Sequence, residues 1–218
     1  DQRQGWAIFA VMLAFWALPM IGAQLLETHG NPRLTAAGAA QTAAATNPGG
    51  NMAGKEVRFG AAASAMHGSN STSTTTGSVN SMHDSFTPLG GAIVLTNILL
   101  GEYGPGGIGS GLYGLLILAL VSVFIAGLMV GRTPEYLGKK GESYEIKMAM
   151  ITALVLGASI LGFTALATAL PEGLLGPLNK GPHGFSEILY AYTSQTGNNG
   201  SAFAGISVNT PFYNVTGA

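Results

Sequence analysis

The stretch FGAAASAMHGSNSTSTTTGSVNS, residues 59–81, contains no Asp, Glu, Lys or Arg, yet it is too polar to cross a membrane. It starts with a mildly apolar segment of helical length, continues in Ser, Thr and Asn, and contains Gly77 near its end. A second stretch, FSEILYAYTSQTGNNGSAFAGIS at residues 185–207, has the same order, and Glu187 is its only acidic or basic residue. A repeated order of residues within one chain indicates a repeated structural unit. It predicts two copies of one structural unit.

A re-entrant loop that binds a monovalent cation would explain this composition. Backbone carbonyl oxygens can replace the water shell of such an ion, and glycine reaches the backbone angles that point successive carbonyls at one axis. Ser, Thr and Asn add further oxygens. The lack of acidic side chains favours potassium over calcium, which prefers carboxylates. A flexible Ser/Thr linker is the alternative interpretation of residues 59–81 taken alone.

Three apolar segments surround these stretches. The chain of 218 residues is 47% hydrophobic and 9% charged, whereas a soluble domain carries about 25% charged residues. A membrane-spanning helix needs about 20 apolar residues, and residues 6–26, 110–130 and 148–170 meet that requirement. Residues 86–101 are apolar but short, and the break GEYGPGG at residues 101–107 follows them. Broken helices at membrane depth are tolerated where they line a cavity or pack on protein.

Basic residues predict the orientation of the chain. The short loop at residues 132–147 contains four Lys or Arg residues, so the positive-inside rule places it in the cytoplasm. The loops at residues 27–58 and 171–184 then face the outside. The net charge of −1 gives no electrostatic reason to expect nucleic acid binding. The absence of Cys excludes disulfides and thiolate metal sites.

Five long blocks of sequence are specific enough to compare with known families. They are NPGGNMAGKEVRFG (47–60), NSMHDSFTPLGG (80–91), GGIGSGLYG (106–114), FIAGLMVGRTPEYLGKK (124–140) and GPHGFSEILYAYTSQTGNNGSAFAG (181–205). Together they resemble the potassium-binding A subunit of Kdp-type potassium-transporting ATPases. The resemblance covers nearly the whole chain and is weakest at residues 35–46 and 173–179.

The resemblance implies an all-α integral membrane fold similar to that of potassium channels, with four span–pore helix–filter loop–span units around one pore. The chain would hold the second unit at residues 1–131, a cytoplasmic loop at 132–147 and most of the third unit at 148–218, and we expect both ends to be cuts through a longer protein. In the second unit the expected parts are a span at 6–26, an outer loop at 27–58, a pore helix and filter at 59–81 and a broken second span at 86–131. In the third unit they are a span at 148–170 and a pore helix and filter at 185–201.

The resemblance also implies which residues bind potassium, mainly through backbone carbonyl oxygens. In the second unit these residues are Thr74, Thr75, Thr76 and Gly77. In the third unit they are Asn198, Asn199 and Gly200. Thr196 and Gly197 are the alternative assignment there, because either glycine could be the filter glycine.

The resemblance further implies partners and a location. Family members pass potassium to a P-type ATPase catalytic subunit, and a small single-span subunit and a short accessory peptide complete the complex in the bacterial inner membrane. Potassium is then the transported ion and the lipid bilayer a further partner. The chain has no GxxxxGK[ST] sequence, which would cradle nucleotide phosphates, and no recognisable P-type phosphorylation motif. We therefore expect it to bind no ATP and to be a non-catalytic subunit.

Three alternative functions stay open at the level of sequence. A passive or ion-coupled potassium transporter of related fold would differ in the ATP dependence of uptake. A membrane-embedded enzyme could use His83 and Asp84 as an acid–base pair, although such a pair also needs a cleft and a third group. A structural scaffold would have no ion path. The simpler interpretation of Asp84 is a cap for a helix that begins near Ser85.

Overall fold

The computed structural model describes residues 2–107, 109–201 and 203–218, and these are mostly helical. The helices are α1 (Gln2–Thr28), α2 (Pro32–Ala36), α3 (Gly60–Ser73), α4 (Pro88–Leu100), α5 (Ser110–Val130), α6 (Ser143–Ala169), α7 (Pro182–Thr196) and α8 (Pro211–Thr216). Two short 3₁₀ turns lie at His83–Ser85 and Gly173–Leu175. A two-stranded antiparallel hairpin pairs β1 (Glu135–Tyr136) with β2 (Lys139–Lys140).

Three of the helices, α1, α5 and α6, are long and apolar enough to cross a membrane. Their large apolar side chains point outwards: Trp6 is 69% exposed, Met129 83% and Leu154 65%. A soluble protein seldom leaves so wide an apolar surface in contact with water. The fold is therefore that of a helical membrane protein, and the three helices contain the segments predicted to span the bilayer apart from Leu170, which follows the last residue of α6.

The shorter apolar helix α4 is separated from α5 by a break in the chain. At Gly106 the backbone has φ +75°, and a β-carbon there would collide with the backbone of Gly111. The amide of Gly106 donates a hydrogen bond to the carbonyl of Ser73, at 3.1 Å. The break thus packs against the carboxyl end of α3.

The loop between α5 and α6 contains the β-hairpin, which the sequence patterns did not predict. Leu137 and Gly138 have φ +51° and +81°, the pair of positive angles that a two-residue hairpin turn requires. At the start of α6, Glu142 and Glu145 form a reciprocal capping box with each other's backbone amides. Such a box satisfies amides that have no partner inside the helix.

Two of the long helices pack on short polar ones, α1 on α3 and α6 on α7, while α5 packs on α6. A buried cluster of Phe86, Val94, Ile98, Tyr190 and Phe203 joins α4 to α7 and so connects the two halves of the chain. A second cluster of Ala167, Ile188, Tyr192 and Tyr213 joins α6, α7 and α8. Both clusters include residues of α7, and α3 is also buried along much of its length.

Candidate functional site

The helices α3 and α7 end in the same hydrogen-bond pattern. At the end of α3 the amide of Thr76 donates to the carbonyl of Ser71, at 3.1 Å, and after α7 the amide of Asn199 donates to the carbonyl of Ser194, also at 3.1 Å. A constant offset of 123 residues relates these pairs and also relates Gly77 to Gly200. We call residues 74–78 the first turn and residues 197–201 the second turn.

The backbone angles of the two turns also match. Thr75 has φ +50° and Asn198 has φ +55°, while Gly77 has φ +77° and Gly200 has φ +65°. A positive φ is uncommon outside glycine and is an outlier for a β-branched residue such as Thr75. Strained backbone of this kind is found where function demands a particular conformation.

This correspondence pairs Gly77 with Gly200 rather than with Gly197. Gly197 has φ −76° and forms the C-cap of α7, as Thr74 with φ −103° does for α3. Thr196 is the last residue of α7. Gly200 thus shares its positive φ with Gly77, and Gly197 does not.

The two turns meet in space. A β-carbon added to Gly77 would collide with the carbonyl oxygen of Asn199, and at Gly200 it would meet open space. Within the described residues, no amide donates to the carbonyl oxygens of residues 75–77 or 198–200. The two turns therefore lie against each other, with the carbonyl oxygen of Asn199 beside Gly77.

Hydroxyl groups of the helices support each turn from behind. The Oγ of Ser71 lies 3.0 Å from the Oγ1 of Thr76. At the equivalent position the Oγ of Ser194 donates to the Oδ1 of Asn199 at 2.6 Å. Both supporting serines are buried. In each turn, the residue just before the turn glycine is thus held by the serine five positions before it.

A buried carboxylate anchors the outer loop of the first half. Glu27 at the end of α1 accepts from the Nδ2 of Asn51 and the Nζ of Lys55, both at 2.8 Å, and from the amide and hydroxyl of Thr87 at 2.7 and 2.8 Å. The side chains of Glu27 and Lys55 are both fully buried. Burial lowers the pKa of Lys55, and the charge of Glu27 opposes that shift.

A second carboxylate anchors the outer loop of the other half. Glu187 in α7 is fully buried and accepts from the amide of Leu178 at 2.9 Å and from the Nδ2 of Asn179 at 2.6 Å. Its oxygens also lie within 4.8 Å of possible ligand atoms of Asp84 and His183. Because the loop already occupies both oxygens of Glu187, its contacts here are those of a structural anchor.

Sequence reasoning missed both anchors, and it also missed a further part of the repeat. Thr87-Pro88 and Thr210-Pro211 are separated by the same offset of 123 residues. Each threonine caps the helix that follows, α4 or α8, by accepting from the amide three residues later. The repetition therefore extends beyond the turns and could have been recognised from the Thr-Pro pairs.

The structure does not arrange His83 and Asp84 as an acid–base pair. His83 is fully buried between the rings of Phe86 and Tyr190, and burial, followed by the charges of His67 and Lys55, lowers its pKa to about 4. The backbone amide of Asp84 donates to the carbonyl of Phe203. The predicted cap role of Asp84 is wrong as well, because α4 begins at Pro88 and its N-cap is Thr87.

A further acidic side chain comes close to the second turn from the break between α4 and α5. A β-carbon on Gly197 would lie 3.4 Å from the Oε1 of Glu102. Glu102 also lines a cavity of about 300 Å³ together with Tyr103, Gly157 and Thr193. The break therefore places a carboxylate beside the second turn.

These features define a class of protein: a helical membrane protein in which two polar turns of matched backbone conformation meet. The whole chain, residues 1–218, matches the family model described as "KdpA: Potassium-transporting ATPase A subunit". The chain belongs to this family.

Curated relatives agree with that assignment. The chain is 59% identical over 216 residues to a protein of Methylobacterium nodulans, 53% over 214 residues to one of Sorangium cellulosum and 51% over 216 residues to one of Mycobacterium tuberculosis. Each is named "Potassium-transporting ATPase potassium-binding subunit". The alignments cover 98–99% of this chain but 36–38% of the relatives. The chain thus spans little more than a third of their length.

Proposed function

We propose that this chain supplies two of the loops that bind and select potassium in the potassium-binding subunit of an ATP-driven uptake complex. The observation that carries the proposal is the meeting of two matched turns, with the carbonyl oxygen of Asn199 against Gly77. The family membership of the chain supports the same conclusion. The carbonyl oxygens of residues 74–77 and 198–200 coordinate the ion.

The turns suit a dehydrated monovalent cation for three reasons. Backbone carbonyls that accept no hydrogen bond can replace the water shell of the ion. Both α3 and α7 end at a turn, and the carboxyl end of a helix carries a partial negative charge that favours a cation. Neither turn itself contains an acidic residue, so the turns offer an ion neutral backbone oxygens rather than the carboxylates that divalent cations prefer, and Glu102 is the acidic side chain that approaches the second turn from outside it.

Two pore loops cannot enclose a pore, so the remaining loops must come from other parts of the full protein. In this arrangement residues 1–131 form the second of four pore-loop units and residues 148–218 form most of the third. The outer loops at residues 27–58 and 171–184 face the outside of the inner membrane. The hairpin in the loop at residues 132–147 faces the cytoplasm, where its basic residues agree with the positive-inside rule.

Energy for uptake comes from a partner in this proposal. Potassium enters from the outside, loses water at the two turns and passes to a P-type ATPase subunit that hydrolyses ATP. A small single-span subunit and a short peptide complete the complex. The chain itself binds no ATP and acts as a non-catalytic subunit.

The test is substitution of Gly77 by Ala in the full-length subunit within its purified complex. The added methyl group displaces the carbonyl of Asn199, so we expect about a tenfold rise in the KM for potassium, equivalent to about 1.4 kcal/mol, and weaker discrimination against sodium, rubidium and ammonium. The measurement is ATPase activity stimulated by each ion. Gly131→Ala is the matched control, because Gly131 has φ +71° and open space around it, far from the turns.

Unchanged ion discrimination in an assembled Gly77→Ala complex would overturn the proposal. If that complex does not assemble, Gly200→Ala takes its place, because a β-carbon at Gly200 meets no atom within 4 Å. ATP-independent uptake by the full complex would instead favour a passive or ion-coupled transporter of related fold.

A further inference from the structure

Each of the two short helices directs a ring at the serine that follows the turn glycine. The Nε2 of His67 in α3 lies 3.2 Å from the Oγ of Ser78. In α7 the hydroxyl of Tyr190 lies 2.8 Å from the Oγ of Ser201. The offset of 123 residues relates His67 to Tyr190 and Ser78 to Ser201. Two different side chains thus make the same contact at equivalent places.

The contact reaches the part of each turn that matters for ion binding. Ser78 directly follows Gly77, and Ser201 directly follows Gly200. A hydrogen bond from a ring on the helix fixes the distance between the helix and the residue after the glycine. Fixing that residue limits the rotation of the peptide that carries the glycine carbonyl, because each peptide unit is planar and rigid.

The two rings differ in what surrounds them. Tyr190 is fully buried, its partner Ser201 is 6% exposed, and its hydroxyl also lies 3.4 Å from the Nδ1 of His83. His67 is half-buried and Ser78 is exposed. The hydrogen bond that holds the second turn is therefore buried in the core, and the one that holds the first turn lies near the protein surface.

We propose that His67 and Tyr190 are equivalent positioning residues, which hold the carbonyls of Gly77 and Gly200 in the direction required for potassium. This inference rests on the proposed function, since it assumes that the two turns bind the ion. It assigns the first turn a hydrogen-bond donor or acceptor at position 67 and predicts that tyrosine can replace histidine there.

The test uses the full complex with His67→Phe, Ser78→Ala and the double variant. Loss of the hydrogen bond is expected to raise the KM for potassium about fivefold, which corresponds to about 1 kcal/mol. The KM for rubidium should then differ less from the KM for potassium, and the maximal rate should be unchanged. Because both single variants remove the same hydrogen bond, the double variant should be no worse than Ser78→Ala, which also removes the longer contacts of Ser78 with Ser71 and Thr76. His67→Tyr copies the tyrosine–serine pair of the second turn, so it should keep the wild-type ratio of the KM values for rubidium and potassium.

Controls separate this inference from a general effect on stability and from the proposed function. Met66→Leu, at the neighbouring exposed position of α3, should leave both the ion ratio and the KM unchanged. If Gly77→Ala alters selectivity while His67→Phe and Ser78→Ala do not, the positioning role is refuted and the proposed function stands. If the double variant shows additive losses, or His67→Tyr fails to restore the ion ratio, the two residues do not act as a pair.

Discussion

The two turns share one backbone but are built from different side chains and sit differently against each other. Thr75 and Asn198 both adopt a left-handed conformation, although only asparagine does so at low cost. Gly77 is pressed against the carbonyl of Asn199, whereas a β-carbon at Gly200 would meet open space. What the two turns have in common is therefore their backbone conformation and the hydrogen bond that ties each one to its helix. The differences between them predict unequal responses to equivalent substitutions.

We expect the largest difference in stability between variants that remove one or the other of the two carboxylates that anchor the outer loops. Glu27→Ala would leave the buried ammonium of Lys55 unpaired, and breaking a buried ion pair costs about 3–5 kcal/mol. Glu187→Ala would remove hydrogen bonds from a backbone amide and an asparagine, a loss of about 1–3 kcal/mol. The apparent melting temperature of the purified complex measures both, and it should fall further for Glu27→Ala.

A second substitution tests whether the unpaired charge causes that gap. Lys55→Met together with Glu27→Gln removes both charges and keeps similar volumes, so it should recover much of the stability lost in Glu27→Ala. A double variant as unstable as Glu27→Ala would show that the ion pair is not what distinguishes the two anchors.

The next largest difference in stability is expected when a methyl group is added to one or the other turn glycine. Gly77→Ala combines a positive φ with a clash against backbone, for which we expect about 2–4 kcal/mol of destabilisation. Gly200→Ala has only the backbone term, about 1–2 kcal/mol. Gly197→Ala, at φ −76°, should change the melting temperature least. Equal effects at Gly77 and Gly200 would contradict the asymmetric contact between the turns.

The long helices and the two polar stretches at residues 59–81 and 185–207 could be predicted from the sequence, because both depend on local composition. The segment predicted to span at residues 110–130 coincides with α5, since apolar length alone defines it. Sequence reasoning could not choose between Gly197 and Gly200, because the two differ in backbone angle and not in residue type. The contact between Gly77 and Asn199 joins residues far apart in the chain, and no local pattern encodes it.

The buried side chains around the turns were also beyond the reach of local patterns. Glu27 lies 60 residues from Thr87, to which it is hydrogen-bonded, and a carboxylate at the end of an apolar segment gives no sign of its partners. His83 looked like a chemical group beside Asp84, but its environment is set by Phe86 and Tyr190. The all-helical prediction had no pattern for the hairpin, because strands of two residues show no alternation.

The histidine between the two halves predicts a pH dependence of stability. Burial lowers the pKa of His83 from 6.5 to about 4, so between these values the unfolded chain binds a proton that the folded protein does not. Stability should therefore fall as pH falls from about 6.5 to 4, with a slope of at most about 1.4 kcal/mol per pH unit from this group. Below pH 4 both states are protonated and this contribution to the slope ends.

The measurement is the apparent melting temperature of the complex between pH 7 and pH 4.5, in the wild type and in His83→Gln. Glutamine cannot titrate, so the variant should lose less of its stability on acidification than the wild type. His29→Gln is the matched control, since His29 is exposed, and it should follow the wild-type curve. Parallel curves for His83→Gln and the wild type would show that the folded protein binds a proton at this position as readily as the unfolded chain.

The smallest expected effect tests the equivalence of the turns most directly, by exchanging the residues at their left-handed positions. Thr75→Asn places a residue that tolerates positive φ where a β-branched one now stands, so it should stabilise the complex by about 1 kcal/mol. Asn198→Thr should destabilise it by a similar amount, and the double exchange should leave the melting temperature nearly unchanged. Because the carbonyls keep their direction in each variant, ion selectivity should not move. A change in selectivity without a change in stability would mean that the side chains at these positions, rather than the backbone, contact the ion.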